Sequence, residues 1–158
     1  MRMRTGISAR TLLIIILILA STAFTGILIY YLQPVIVEGI VDHKTLVGVK
    51  DDVVKTLLMV TPHGILIKDK SIKAYVSGDS ILYERLIENL SKYYDRIYCT
   101  VSIRVSTEDP LNDLSPGETL AYIVDIKYSS LLEVGSRVKF VITRLDPIKI
   151  SRIISIEK

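Results

Sequence analysis

Cysteine, tryptophan and proline are scarce in this chain. A single cysteine, Cys99, in 158 residues excludes an internal disulfide framework. Tryptophan is absent and phenylalanine occurs twice, so nine tyrosines carry most of the aromatic surface. Acidic residues are missing before Glu38, and charge of either sign is missing from Thr11 to Val37. No HExxH, HxxxH or CxxC spacing occurs, and there is no Walker loop, GxGxxG or GxSxG. These gaps leave no zinc motif, phosphate-cradling loop or nucleophile elbow to build on. The sequence therefore predicts no catalytic residue, no metal ligand and no cofactor.

What charge there is divides unevenly. Arg2, Arg4 and Arg10 stand before the uncharged stretch and account for the whole formal +3 of the chain. Residues 38–158 hold 17 basic and 17 acidic side chains. A neutral domain has no excess cation with which to release counterions from phosphate, so nucleic acid is not an expected partner.

Leu12 to Leu32 is uncharged and apolar on all sides apart from Ser21, Thr22, Thr25 and Gly26. A helix of that length covers about 32 Å, close to the roughly 30 Å hydrocarbon core of a bilayer. Leu12, Ile16, Leu19, Phe24 and Leu28 would meet lipid, and Tyr30 and Tyr31 would sit at the membrane–water interface. The hydroxyls can bond carbonyls of the preceding turn, and Gln33-Pro34 ends the helix. Positive charge before the span and Glu38 and Asp42 after it place the N-terminus in the cytoplasm and residues 38–158 outside. The expected domains are a basic leader over 1–10, a transmembrane helix over 11–33 and an extracytoplasmic domain over 34–158. An uncleaved signal-anchor is the leading reading. Cleavage after Ser21-Thr22-Ala23 is the alternative that would release a chain beginning at Phe24.

The stretch RTGISARTLLIII (residues 4–16) resembles the N-terminus of archaeal type IV pilin precursors. Those carry a short basic leader, a small residue before the processing site, a serine soon after it and a long apolar helix. The resemblance implies that Gly6 ends the leader, that Ile7 begins the mature chain and that the helix serves as both anchor and filament core. Thr5 and Arg10 depart from that pattern.

Beyond Pro34 the sequence reads as short strands with one helix. Val35, Val37, Gly39 and Val41 alternate with Ile36, Glu38, Ile40 and Asp42, and Val53–Val60 is an apolar run. Gly64–Lys68 and Ile72–Val76 suggest a hairpin around 68–71. GDSILYERLIENLSKYYD predicts a helix over 78–95 capped by Asp79 or Ser80, with Leu82, Leu86, Leu90 and Tyr93 as its buried stripe. Cys99 falls on the apolar face of a strand with Ile97, Val101, Ile103 and Val105. A buried thiol is the expectation there, with an intermolecular bridge or a reactive thiol as alternatives. Ser115-Pro116-Gly117 is a turn leading into a strand with Leu120, Tyr122, Val124, Ile126 and Tyr128 on one face. Val138, Phe140 and Ile142 face inward, and a last strand covers Lys149–Ile156. The expected class is α+β, mainly β: the membrane helix, then a small OB-like barrel or an immunoglobulin-like β-sandwich with one amphipathic helix.

Polar candidates are few. His43 and His63 are read as loop residues, and Asp51-Asp52 as a turn. Asp42 beside His43 makes a dyad without a nucleophile. Glu84 and Glu88 share the solvated helix face, and the acidic loop Ser106–Glu118 is read as solvated rather than as a calcium site. The five acids of 106–125 and the basic excess of 137–158 are likewise read as solvated faces, with head-to-tail steering of subunits as the alternative. Asn89-Leu90-Ser91 is a glycosylation sequon. The expected role is that of a single-pass, membrane-anchored structural or protein-interaction subunit of the cell envelope. Its partners would be the lipid bilayer and other envelope proteins or copies of itself, working by contact rather than catalysis. The alternatives are a pilin-like filament subunit and an anchored ligand carrier or hydrolase.

Overall fold

The computed structural model describes residues 9–77, 80–81 and 83–158. The chain divides after Gln33 into two compact units. The first holds helix α1 (Ala9–Leu32), 24 residues long with no buried residue. Its apolar positions predict helix through composition rather than through one sided packing, and every anchor residue from Leu12 to Tyr31 is exposed. Its hydroxyls are spent inside it: Ser21 and Thr22 donate to the Ile18 carbonyl, each at 3.0 Å, and Thr25 to Ser21 at 2.8 Å. The helix is long and apolar enough to cross a membrane.

The second unit is mainly antiparallel β-sheet. Its strands are β1 (Pro34–Lys50), β2 (Val53–Thr61), β3 (Gly64–Ile67), β4 (Val76–Ser77), β5 (Ser80–Ile81), β6 (Arg96–Val105), β7 (Thr119–Val124), β8 (Arg137–Thr143) and β9 (Arg152–Glu157). Two short helices, α2 (Tyr83–Leu90) and α3 (Ile126–Ser129), interrupt them. β4 and β5 form a separate ribbon, and the other seven strands form one sheet in the order β3-β2-β1-β6-β7, with β8 on β1 and β9 on β8. The ladders do not close into a ring. A lone parallel bridge joins Ile123 to Lys149, through Ile123 N to the Ile148 carbonyl and Ile150 N to the Ile123 carbonyl.

β1 organises the sheet. Along one edge it pairs with β6 from Gly39 to Val49. Along the other it pairs with β8 up to Ile40 and with β2 from Lys44 onward. The inward alternation Val35, Val37, Gly39, Val41 resumes at Lys44 and Leu46 because a bulge at Asp42 adds one residue. Gly39 is required there: a Cβ would lie 2.6 Å from the Arg104 carbonyl oxygen. Asp51 and Asp52, both with positive φ, make the two-residue turn from β1 to β2, a conformation that short acidic side chains tolerate.

Two apolar clusters lie on the inner face. The larger gathers Val37, Val41, Cys99, Val101, Ile103, Tyr122 and Val138 around Phe140, whose ring meets Tyr122 edge-on at 4.9 Å. The smaller holds Leu46, Leu57, Leu58 and Ile72 under Leu86 and Leu90 of α2.

Several expectations need correction. Residues 70–75 form a 3-10 turn rather than a strand returning along β3, and Ile72 is fully buried in it. α2 ends at Leu90, whose carbonyl accepts from Tyr93 N and Tyr94 N, so Tyr93 leaves the stripe and stands exposed. Ser80 belongs to β5 rather than to a helix cap; Asp79 and Leu82 lie outside the described residues. β7 stops at Val124 because the Asp125 carboxylate accepts from Lys127 N and caps α3, which carries Ile126 and Tyr128 off the strand. β9 begins at Arg152, and its bulge at Ile154 turns that residue to solvent while Ile153 and Ile156 pack inward.

Candidate functional site

His43 is a strand residue of β1, not a loop residue, and lies directly opposite Ser102 of β6. The Asp42 bulge brings three side chains into one chain of hydrogen bonds on the outer face of the sheet. His43 Nδ1 is 3.0 Å from Asp42 Oδ2, and His43 Nε2 is 2.9 Å from Ser102 Oγ. The chemistry fixes the direction at the carboxylate end of this chain. An ionised carboxylate only accepts, so Nδ1–H of His43 donates to Asp42, which leaves Nε2 facing the Ser102 hydroxyl. Ser102 is buried beneath the imidazole, whereas the His43 and Asp42 side chains keep 31% and 44% of their surface.

The setting is the point along β1 where β8 has ended and β2 has not begun. The bulge is fastened there by backbone bonds from Val41 N to the Ser136 carbonyl and from Gly135 N to the Val41 carbonyl. Cross-strand register sets the neighbours of Ser102: Ala121 of β7 opposite it, and Arg104 and Thr100 two residues either way on the same face. Arg104 in turn stands opposite Ile40, whose other partner is Arg137 of β8.

Asp42 and His43 stand out as a dyad in the sequence, whereas Ser102 does not. The usable signal was period-2 alternation, which puts Ser102 on the outer face of β6. What was lacking was the register between β1 and β6, which the bulge shifts by one residue.

The other candidates remain apart. His63 sits in the turn from β2 to β3, and Asp51-Asp52 in the turn from β1 to β2. In the acidic loop the Asp109 carboxylate is spent on Leu111 N and on Asn112 Nδ2, and Leu114 is buried. Among the described residues no three His, Cys, Asp or Glu side chains gather as a metal site. Part of the basic excess of 137–158 is matched within the domain: Lys139 pairs with Glu38 and Lys158 with Glu133. Asn89 lines a cavity of about 310 Å³ with Asp69, Ser71, Leu90, Tyr93 and Tyr94. Gly6 lies outside the described residues.

Burial perturbs Cys99 and Lys44 in opposite directions. Burial pushes the Cys99 thiol up to about 11 against the opposing pull of the Lys44 ammonium and a hydrogen bond from Ser129. A thiol so raised is a poor nucleophile. Lys44, itself buried with Nζ 2.9 Å from the Ser129 carbonyl, is held below the usual lysine value by desolvation.

No family model matches the chain, no curated protein is similar to it, and no solved structure matches its fold.

Proposed function

We propose that this chain is a single-pass membrane protein with a cytoplasmic N-terminus, displaying residues 38–158 outside as a structural or protein-interaction subunit of the envelope. The observation that carries the reading is α1: 24 residues, none buried, with Arg10 as the only charge and the remaining leader arginines before it. A wholly apolar surface of that length is stable in lipid and costly in water. Only Gln33 separates α1 from β1, so the tether is short. Exposed Val53, Val54 and Leu66 on β2 and β3 offer apolar contact area for an envelope partner or a second copy. The same reading takes the β unit as an OB-like barrel rather than a sandwich. Its support is a long β1 serving two neighbours on one edge and the Ile123–Lys149 bridge beside the free edge of β7.

The test is the intact mass of native protein extracted from membranes, with its N-terminal peptide sequenced. A start at or next to Met1 is the expected result. A start at Ile7 would replace this reading with the pilin-like filament subunit, and a start at Phe24 would replace it with a secreted domain.

A further inference from the structure

We propose that Asp42, His43 and Ser102 form a hydrolytic site for small carboxylic esters that carry a negative charge, an activity beyond the anchoring role. The array has the nucleophile, base and orienting group of acyl transfer in line: a hydroxyl, an imidazole whose Nε2 it meets, and a carboxylate holding Nδ1. Ser102 Oγ adds to the ester carbonyl carbon while its proton passes to His43 Nε2. The carbon–oxygen bond to the alcohol then breaks, and His43 returns the proton to the departing alkoxide. Water attacks the acyl-serine with His43 again taking the proton, which goes back to Ser102 as the acid leaves. The sum is ester plus water giving acid plus alcohol. The Asp42 carboxylate orients the ring and balances the imidazolium formed in each half.

Access comes from the side opposite His43. Ser102 keeps 7% of its surface, and its cross-strand neighbour on that side is the exposed Ala121, whose methyl group is the smallest barrier around the hydroxyl. Arg104 stands two residues from Ser102 on the same face, about 6.8 Å along the strand, and Arg137 lies one strand beyond Ile40. The exposed Arg104 guanidinium on the face of Ser102 favours an anionic ester and takes the positioning role. The low exposure of the Ser102 hydroxyl selects for small substrates. The array is not needed to brace the bulge, because the backbone bonds of Val41 to Gly135 and Ser136 already do so.

The experiment treats the full chain in detergent with a fluorophosphonate probe and maps the adduct by mass spectrometry. A single adduct on Ser102 is expected, absent from Ser102→Ala and formed at least ~100-fold more slowly in His43→Ala, in line with removal of a general base. Ala121→Trp, which leaves all three hydrogen-bonding groups in place, should block labelling without lowering the melting temperature. Hydrolysis of p-nitrophenyl hemisuccinate should exceed that of p-nitrophenyl acetate by about tenfold, a preference lost in Arg104→Gln. A folded wild-type chain without an adduct on Ser102 overturns the proposal, as does equal labelling of His43→Ala. Equal rates on the two esters overturn the substrate class. Both results leave the N-terminal mass, and so the anchoring reading, untouched.

Discussion

Replacing Cys99 by alanine should invert the order of stability of the two chains between pH 8 and pH 11. Cys99 is 2% exposed, in the middle of the larger apolar cluster. At pH 8 the thiol is neutral in the folded and unfolded chains, and its loss costs packing of roughly one methylene, about 1 kcal/mol. Above pH 9.0 the unfolded thiol ionises while the folded one does not, its value standing at about 11. The folded state then holds the extra proton, so stability falls as pH rises through that window. A difference between 9.0 and about 11 corresponds to about 3 kcal/mol. Near pH 11, where the folded thiol is itself half ionised, about 2 kcal/mol of this has been lost, so the variant, destabilised by about 1 kcal/mol at pH 8, should be the more stable by about 1 kcal/mol. Lys44 acts in the opposite sense, and more strongly in the variant, which lacks the Cys99 sulfur that pulls its value back up. Its folded value is lowered, so its protonation costs stability at lower pH, and that cost disappears as pH rises toward 10.5. Tyr122, pushed up to about 12 by burial, takes stability away from both above pH 10.0 and cancels in the difference. Denaturant titration of the full chain in detergent, followed by far-UV circular dichroism, measures both curves. Parallel curves from pH 8 to pH 11 would refute the reasoning.

Gly39→Ala should destabilise the β unit by about 2–3 kcal/mol, because its Cβ would meet Ile103 Cγ2 at 2.5 Å and backbone at 2.6 Å; a shift in denaturation midpoint reads it. Asp69 accepts from Lys55 Nζ, from both the backbone and hydroxyl of Ser71, and from Tyr94 Oη, and these donors hold its carboxyl well below the usual range. Its contribution is present above pH 3.8 and lost as pH falls below it, so Asp69→Asn should cost about 2 kcal/mol at pH 7 and flatten the acid limb of the stability profile. The Tyr122 hydroxyl is buried without a partner among the described residues, so Tyr122→Phe should leave the melting temperature unchanged or raise it; a loss above about 1 kcal/mol would show that the hydroxyl is bonded.

The parts of this molecule that were legible in the sequence are those set by composition and short period. α1 needed only a long uncharged run. The inward set of β8, the alternation at the start of β1 and the burial of Cys99 followed from period 2, because one face of each strand is covered. Bulges defeated the same rule: nothing in VDHKT marks Asp42 as an extra residue, and nothing in RIISIE marks Ile154. Caps defeated it at β7, where Asp125 ends an alternation that continues on paper to Tyr128. The candidate site was half visible for that reason. Asp42 and His43 are neighbours in sequence, but Ser102 joins them only through register across 59 residues.

The short junction at Gln33 makes β1 the strand through which any pull from the anchor enters the β unit. β1 is bonded to β8 over Pro34–Ile40 on one edge and to β6 over Gly39–Val49 on the other. A force applied along β1 would load their hydrogen bonds together, in shear, instead of one at a time as in unzipping. The strand that follows the apolar helix is thus also the best-riveted strand of the β unit.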